Sequence, residues 1–377
     1  MTALSPNAQC ALDTILRKPV DGIPSWLLHV MQIGHIERIA GAAPGSYRGD
    51  PDTVYVAFQR AAGTCMLDQY LADNPLTMGD RGYEGTAHGA TTGAEEIVLD
   101  GIRIDSPEAV VEHIERIVLP GLRRKITEFD GQRVVDGVLA HESRIRALLG
   151  PEILKVPYGV ITFPTLGYGS YGYTNYFMSY ALYPEMLEKV FSLQADLAVV
   201  HNRAVARAYA EAGLPPLHRL DHDMADSRGT LVDIASLDRI WFPHFSRAIE
   251  PAVEAGIRLI WHCDGNLMQM VPRLLSAGIE GFQGFQYEDG MDYVKICRMK
   301  SRQGREPIII AGVSVTSTLP RGTPDDVRRQ LRWLVENGPR TGLFLGASSS
   351  ITPGVPLENI EALIEGLRFY RENGRGA

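Results

Sequence analysis

The chain has 377 residues, 45% of them hydrophobic, and a formal net charge of −8. That length and apolar share suit a globular protein with a sizeable core, and α/β barrels reach this size as one unit. An acidic balance without a basic block argues against nucleic acid or an anionic membrane as partner, and no apolar run reaches the roughly 20 residues of a membrane span.

The opening stretch 1–16 lacks the basic start and continuous apolar run of a secretory signal, so a cytoplasmic location is expected. The four cysteines, Cys10, Cys65, Cys263 and Cys297, show no CxxC spacing and read as reduced structural thiols. In chain order, the first strongly biased segment is Tyr168-Gly-Ser-Tyr-Gly-Tyr-Thr-Asn-Tyr176. Its glycines and four tyrosines read as a mobile loop able to close over a flat or apolar ligand, or as an aromatic-rich surface loop. Stretch 186–212 is Ala-rich and amphipathic, and Gly213 with Pro215 and Pro216 stops it as a helix.

From there helix-like and strand-like segments alternate. Strands are expected at 217–220, 259–261, 281–285, 307–311 and 342–346. Helices are expected at 238–255, 268–277, 293–300, from 324 to about 337, and from 356 onward. Thr323-Pro324-Asp325-Asp326 carries an N-cap, a proline at the first position and acids in the first turn. Repeated βα units force a parallel sheet with right-handed crossovers. A barrel, one domain over 1–377 with an N-terminal extension, brings every strand's following loop to one mouth. A doubly wound open sheet remains an alternative, although neither GxGxxG nor a P-loop supports a nucleotide fold.

The strand ends carry the chemistry. Leu259-Ile260-Trp261-His262-Cys263-Asp264-Gly265 is an apolar run breaking into an imidazole and, two residues on, a carboxylate. In extended backbone His262 and Asp264 share a side and Cys263 faces away. Such a pair can share a proton or grip a metal; the structural alternative is a histidine satisfied at the edge of a core. Two other strands open into Asp221-His222-Asp223 and Gln286-Tyr287-Glu288.

Several stretches, in order, resemble landmarks of the uroporphyrinogen decarboxylase superfamily, which also contains the corrinoid-dependent methyltransferases. They are Arg17-Lys-Pro-Val-Asp-Gly-Ile-Pro-Ser-Trp26 as an opening strand, Asp68 after the second strand, and 229–256 leading to the His-x-(Cys or Asp)-Gly strand. Gly290-Met-Asp292, Gly312-Val313, Gly322-Thr-Pro324 and Pro356-Leu-Glu-Asn359 come after them as later landmarks. The resemblance implies an α/β fold, a (β/α)8 TIM barrel.

The departures bear on function. The decarboxylases receive propionates on an arginine-rich opening loop, whereas here the matching Leu27-Leu28-His29-Val30-Met31-Gln32 has no guanidinium for bidentate recognition. Their late histidine is matched by Ser349. The family's zinc-thiolate methyltransferases use His-x-Cys-Gly and a second late cysteine, where this chain has Asp264 and Ser349. A thiol substrate is therefore not expected. The chain is closest in pattern to the demethylating branch, which implies methyl transfer from a small donor to the cobalt of a corrinoid carried by a partner protein.

On that reading His262, oriented by Asp264, protonates the leaving oxygen, or the two hold zinc through nitrogen and oxygen. Asp221 and Glu288 join them as catalytic candidates. His29, Asp68, Asp223, Ser349, Tyr168, Tyr171 and Tyr173 are the candidate substrate contacts, and the tyrosines suit a methoxylated aromatic donor. A decarboxylase or lyase of a small acid on the same carboxylates, and a binding barrel that has lost its chemistry, stay open.

Overall fold

The apolar runs in the second half of the chain are buried on both faces, as strands of a parallel sheet under helices must be. In the computed structural model, which describes residues 3–77 and 96–376, Leu217–Asp221, Arg258–His262, Ile279–Gln283, Ile308–Val313 and Leu343–Ala347 pair in that order, all parallel. Shorter staves close the ring. Ser25 bridges Leu345, and Trp26 bridges Met66. Met66–Leu67 pairs with Leu154–Lys155, and Tyr158 bridges Arg219. All these pairings are parallel, so eight staves form a closed (β/α)8 barrel.

The helix Pro6–Ile15 precedes the first stave. The long helices Gly131–Leu149 and Pro184–Ala212 pack on one another outside the barrel. Helix Pro324–Asn337 begins with the capping box expected from its sequence, Thr323 and Asp326 each bonding the other's backbone N–H. One hydrophobic cluster runs from Ala8 to Leu367. Among the described residues no helix is long and apolar enough to cross a membrane.

Two expectations need correction. The helix expected over 238–255 is split into Ile234–Ile240 and Phe242–Glu254. Pro243 has no N–H to continue the first helix, and Trp241 at the break is fully buried, 4.6 Å from the Phe245 ring. The tyrosine segment is not a loop: Tyr168–Tyr171 and Tyr173–Leu182 are helices, joined at Gly172, whose φ of 76° suits a residue without Cβ. Helix Tyr173–Leu182 packs on helix Pro107–His113, which comes after the hairpin Val98–Leu99 and Ile102–Arg103. That hairpin turns at Asp100-Gly101, both at positive φ.

Candidate active site at the barrel mouth

Parallel register sets Asp221 opposite His262 and His262 opposite Gln283, so three neighbouring staves end at one level of the barrel lip. They border a cavity of about 190 Å³ that Trp26, His29, Arg219 and Ser349 also line. His262 Nε2 stands 4.0 Å from Asp221 Oδ1. Its Nδ1 lies against Gly284, where a Cβ would come within 2.4 Å and φ is +82°. Glycine is required there on both counts.

Asp221 is held from behind. Its Oδ2 accepts hydrogen bonds from Tyr158 Oη at 2.9 Å and Arg219 Nη1 at 3.1 Å. Arg219 Nε donates to Asp68 Oδ2 at 2.7 Å, and the guanidinium lies over the rings of Trp26 and Tyr158. Burial works to raise the Asp68 carboxyl, but Arg219 and hydrogen bonds from Arg219, Trp26 and the Gln69 backbone outweigh it and hold the group below the usual carboxylate value. Asp68 is thus ion-paired with Arg219 and does not project a free carboxylate.

The His262–Asp264 pairing expected from strand alternation does not form. The strand ends at His262, and the chain then turns through Gly265, φ +85°, where a Cβ would stand 2.7 Å from the Asp226 carbonyl oxygen. Past the last strand residue the two-residue period no longer applies. Instead, single ligand atoms of Asp221, Asp223 and His262 all lie within 4.8 Å of one another, and Asp264 is not in that group. Asp264 is tied in by its backbone N–H, which donates to Asp223 Oδ1. Burial pushes its carboxyl upward, with His262 opposing and Asp223 and Asp221 adding to the rise. Cys263 does face the other way, accepting from the Met224 N–H, and burial pushes its thiol up to about 12.

The remaining candidates separate. His29 lines the cavity with Nδ1 2.8 Å from Ser350 Oγ, and burial, then the Arg219 charge, lower its pKa to about 4. Ser349 lines the same cavity. Glu288 lies on the turn Tyr287–Asp289, accepts a hydrogen bond from Ser314 Oγ and does not line it. Tyr168 sits beside the cluster: its Oη donates to the Asp223 carbonyl oxygen, its ring stacks on His222, and half-exposed Tyr173 packs against it. Tyr171 is turned away. It is buried, with Oη 2.8 Å from His113 Nδ1, and it lines a second cavity of about 380 Å³ under the tyrosine helices.

Among the residues at the mouth that escaped the sequence reading are Arg219, Tyr158 and Gln283. Alternation in Leu217-His218-Arg219-Leu220-Asp221 does place Arg219 on the same side as Asp221, a signal that was there to use. Nothing local marks Tyr158 or Gln283. The Asp221–Asp223–His262 set, one imidazole and two carboxylates, suits a catalytic zinc site with three protein ligands and an open fourth position. Tyr158 and Arg219 orient one of its carboxylates, as outer partners of metal ligands do.

The sequence profile of uroporphyrinogen decarboxylase (URO-D) matches residues 154–370. Among solved structures, a methyltransferase from Methanosarcina mazei superposes with a TM-score of 0.57 over 97% of this chain and 98% of its own, at 17% identity, a likeness of fold. A B12-independent methionine synthase from Shewanella sp. W3-18-1 reaches a TM-score of only 0.32, at 16% identity, over 58% of this chain and 62% of its own, and carries no argument. No curated protein sequence matches the chain. With a family profile spanning more than half of its length on a closed eight-stave barrel, the chain belongs to the uroporphyrinogen decarboxylase family.

Proposed function

We propose that this protein transfers a methyl group from a small donor to the cobalt of a corrinoid carried by a partner protein, with a divalent ion such as zinc held by His262, Asp221 and Asp223. The observation that carries the reading is the convergence of those three ligand atoms within 4.8 Å at the barrel mouth. The C-terminal ends of the staves are where barrels of this kind place catalytic groups.

In such a reaction the methyl–oxygen bond of the donor breaks and its electron pair remains on oxygen, a poor leaving group unless it is protonated or polarised. An ion held by His262, Asp221 and Asp223 would supply that polarisation, and a partner's reduced corrinoid would supply the nucleophile. This chain's residues set the stage. Tyr158 and Arg219 fix Asp221, so that one oxygen faces His262. Asp68 neutralises Arg219 from the far side. Trp26 and Leu71 provide the apolar part of the cavity wall.

The M. mazei methyltransferase shares the fold, which accords with this reading. Decarboxylation of a tetrapyrrole fits less well. Arg219 is the one guanidinium among the described residues lining the cavity, and it already faces two carboxylates.

The test incubates purified protein with methoxylated donors and reduced cobalamin, following methylcobalamin by its absorbance, with metal analysis and carbon dioxide release in parallel. Methyl transfer that depends on a bound metal is the expected result. Carbon dioxide release without methyl transfer would instead identify a decarboxylase. Neither product would leave a binding barrel.

A further inference from the structure

The mouth cavity contains buried hydrogen-bonding atoms that the protein itself leaves unused. Arg219 Nη2, Gln283 Oε1 and His29 Nε2 have no partner, although Arg219 and Gln283 are only 4% and 2% exposed. All three residues line the same 190 Å³ space. Buried polar groups in native proteins are almost always paired, and an unpaired one costs free energy unless something else meets it. Three around one cavity call for an occupant that pairs them.

The other end of each side chain is committed, which fixes what the free end offers. Gln283 Nε2 donates to the Ser348 carbonyl oxygen at 2.9 Å, so its amide cannot be flipped and the oxygen is the free end. Arg219 Nε and Nη1 are engaged by Asp68 and Asp221, leaving Nη2 as a lone donor. His29 meets Ser350 through Nδ1. The site therefore presents a donor, an acceptor and one further imidazole nitrogen. A hydroxyl answers both the donor and the acceptor, because it accepts and donates at once.

A carboxylate has no hydrogen for Gln283 Oε1. Charge also disfavours it: with a divalent ion bound, the ion and Arg219 are balanced by Asp68, Asp221 and Asp223, and no net positive charge remains for an anion. An aryl methyl ether without a hydroxyl would leave Gln283 Oε1 unpaired, a form of rejection that such sites exert strongly. The tyrosines that suit an aromatic donor stand outside the cavity.

We infer that the methyl donor is a small neutral molecule that carries a hydroxyl beside its methoxy oxygen, selected by Gln283, His29 and Arg219. The inference rests on the methyl-transfer reading for the word donor, but its test does not need turnover. Three probes share one methoxy group: 2-methoxyethanol, methoxyacetate and methoxybenzene. Their binding to the full chain is read by ligand-observed saturation-transfer NMR. Arg219→Lys disturbs a buried ion pair and puts folding at risk, so Gln283→Met and His29→Phe carry the test, each with a melting curve.

We expect 2-methoxyethanol to bind best, and each substitution to weaken it about 10-fold, the loss of one hydrogen bond. Preference for methoxyacetate or methoxybenzene, unchanged binding in folded Gln283→Met, or no binding by any probe would overturn the inference. Binding as expected without methyl transfer to cobalamin would sink the functional reading alone. Methyl transfer from methoxybenzene but not from 2-methoxyethanol would sink the donor assignment alone.

Discussion

The cavity at the barrel mouth is half the volume of the one under the tyrosine helices, about 190 against 380 Å³, but the two differ more in how their polar groups are satisfied. Beside the larger cavity its lining residues Tyr171 and His113 form a chain with Asp100, Oη to Nδ1 at 2.8 Å and Nε2 to Oδ2 at 2.9 Å. Among the described residues lining it, no buried side-chain nitrogen or oxygen is without a partner. At the mouth, Arg219 Nη2, Gln283 Oε1 and His29 Nε2 all lack one. Unused hydrogen bonds, not volume, distinguish a place built for a ligand from a gap left by packing.

His262→Ala is the sharpest way to test that contrast. Loss of the imidazole removes one of the three proposed metal ligands and is expected to lower turnover by at least about 10²-fold, while a melting curve and circular dichroism check that the protein stays folded. Activity within a few-fold of the wild type would remove the mouth's claim to chemistry.

Next comes the metal. Tyr158→Phe deletes a hydrogen bond to Asp221 and is expected to weaken zinc binding about 10–100-fold while the protein stays folded, as read by competition with a chelator. X-ray absorption of the zinc-loaded protein is expected to show nitrogen and oxygen neighbours only. A sulfur shell near about 2.3 Å would contradict the Asp221–Asp223–His262 assignment.

Acid is expected to act on the mouth through His29. Burial lowers the pKa of His29 and His222 to about 4 and that of His218 to about 3, from an ordinary 6.5. Between pH 6.5 and 4 the unfolded chain binds protons that the folded chain does not, so stability falls as pH falls. The loss is up to about 1.4 kcal/mol per pH unit for each such histidine. Urea unfolding at a series of pH values measures the slope, and His29→Gln should make it shallower. A slope unchanged by that substitution would show that His29 is not buried neutral.

The smallest effect belongs to the larger cavity. Tyr171→Phe leaves His113 Nδ1 without its partner and is expected to cost about 1–3 kcal/mol of stability, with turnover unchanged. A fall in turnover of more than 10-fold without loss of stability would make that cavity functional and erase the distinction.

Much of the barrel's second half was legible because its signals are local. Apolar runs at 259–261 and 308–313 are continuous since helices cover the outer face and the barrel interior buries the inner one, and Gly213, the Thr323 capping box and Pro324 act within a turn of where they stand. The first half was not legible as strands, because Met66–Leu67 and Leu154–Lys155 are two residues long and hold their place by pairing across the ring. A period of two cannot be read from two residues.

The site divides in the same way. Sequence alone set His262, Asp221 and Asp223 at strand ends, since an apolar run and the polar residues that end it are adjacent along the chain. Only the tertiary structure decided that Asp221, not Asp264, faces His262, and that Asp68 is engaged by Arg219, 151 residues away. Parallel register and the turn at Gly265 settle the first. The second arises from the cost of burying a guanidinium, which demands a carboxylate from whichever stave lies across the barrel.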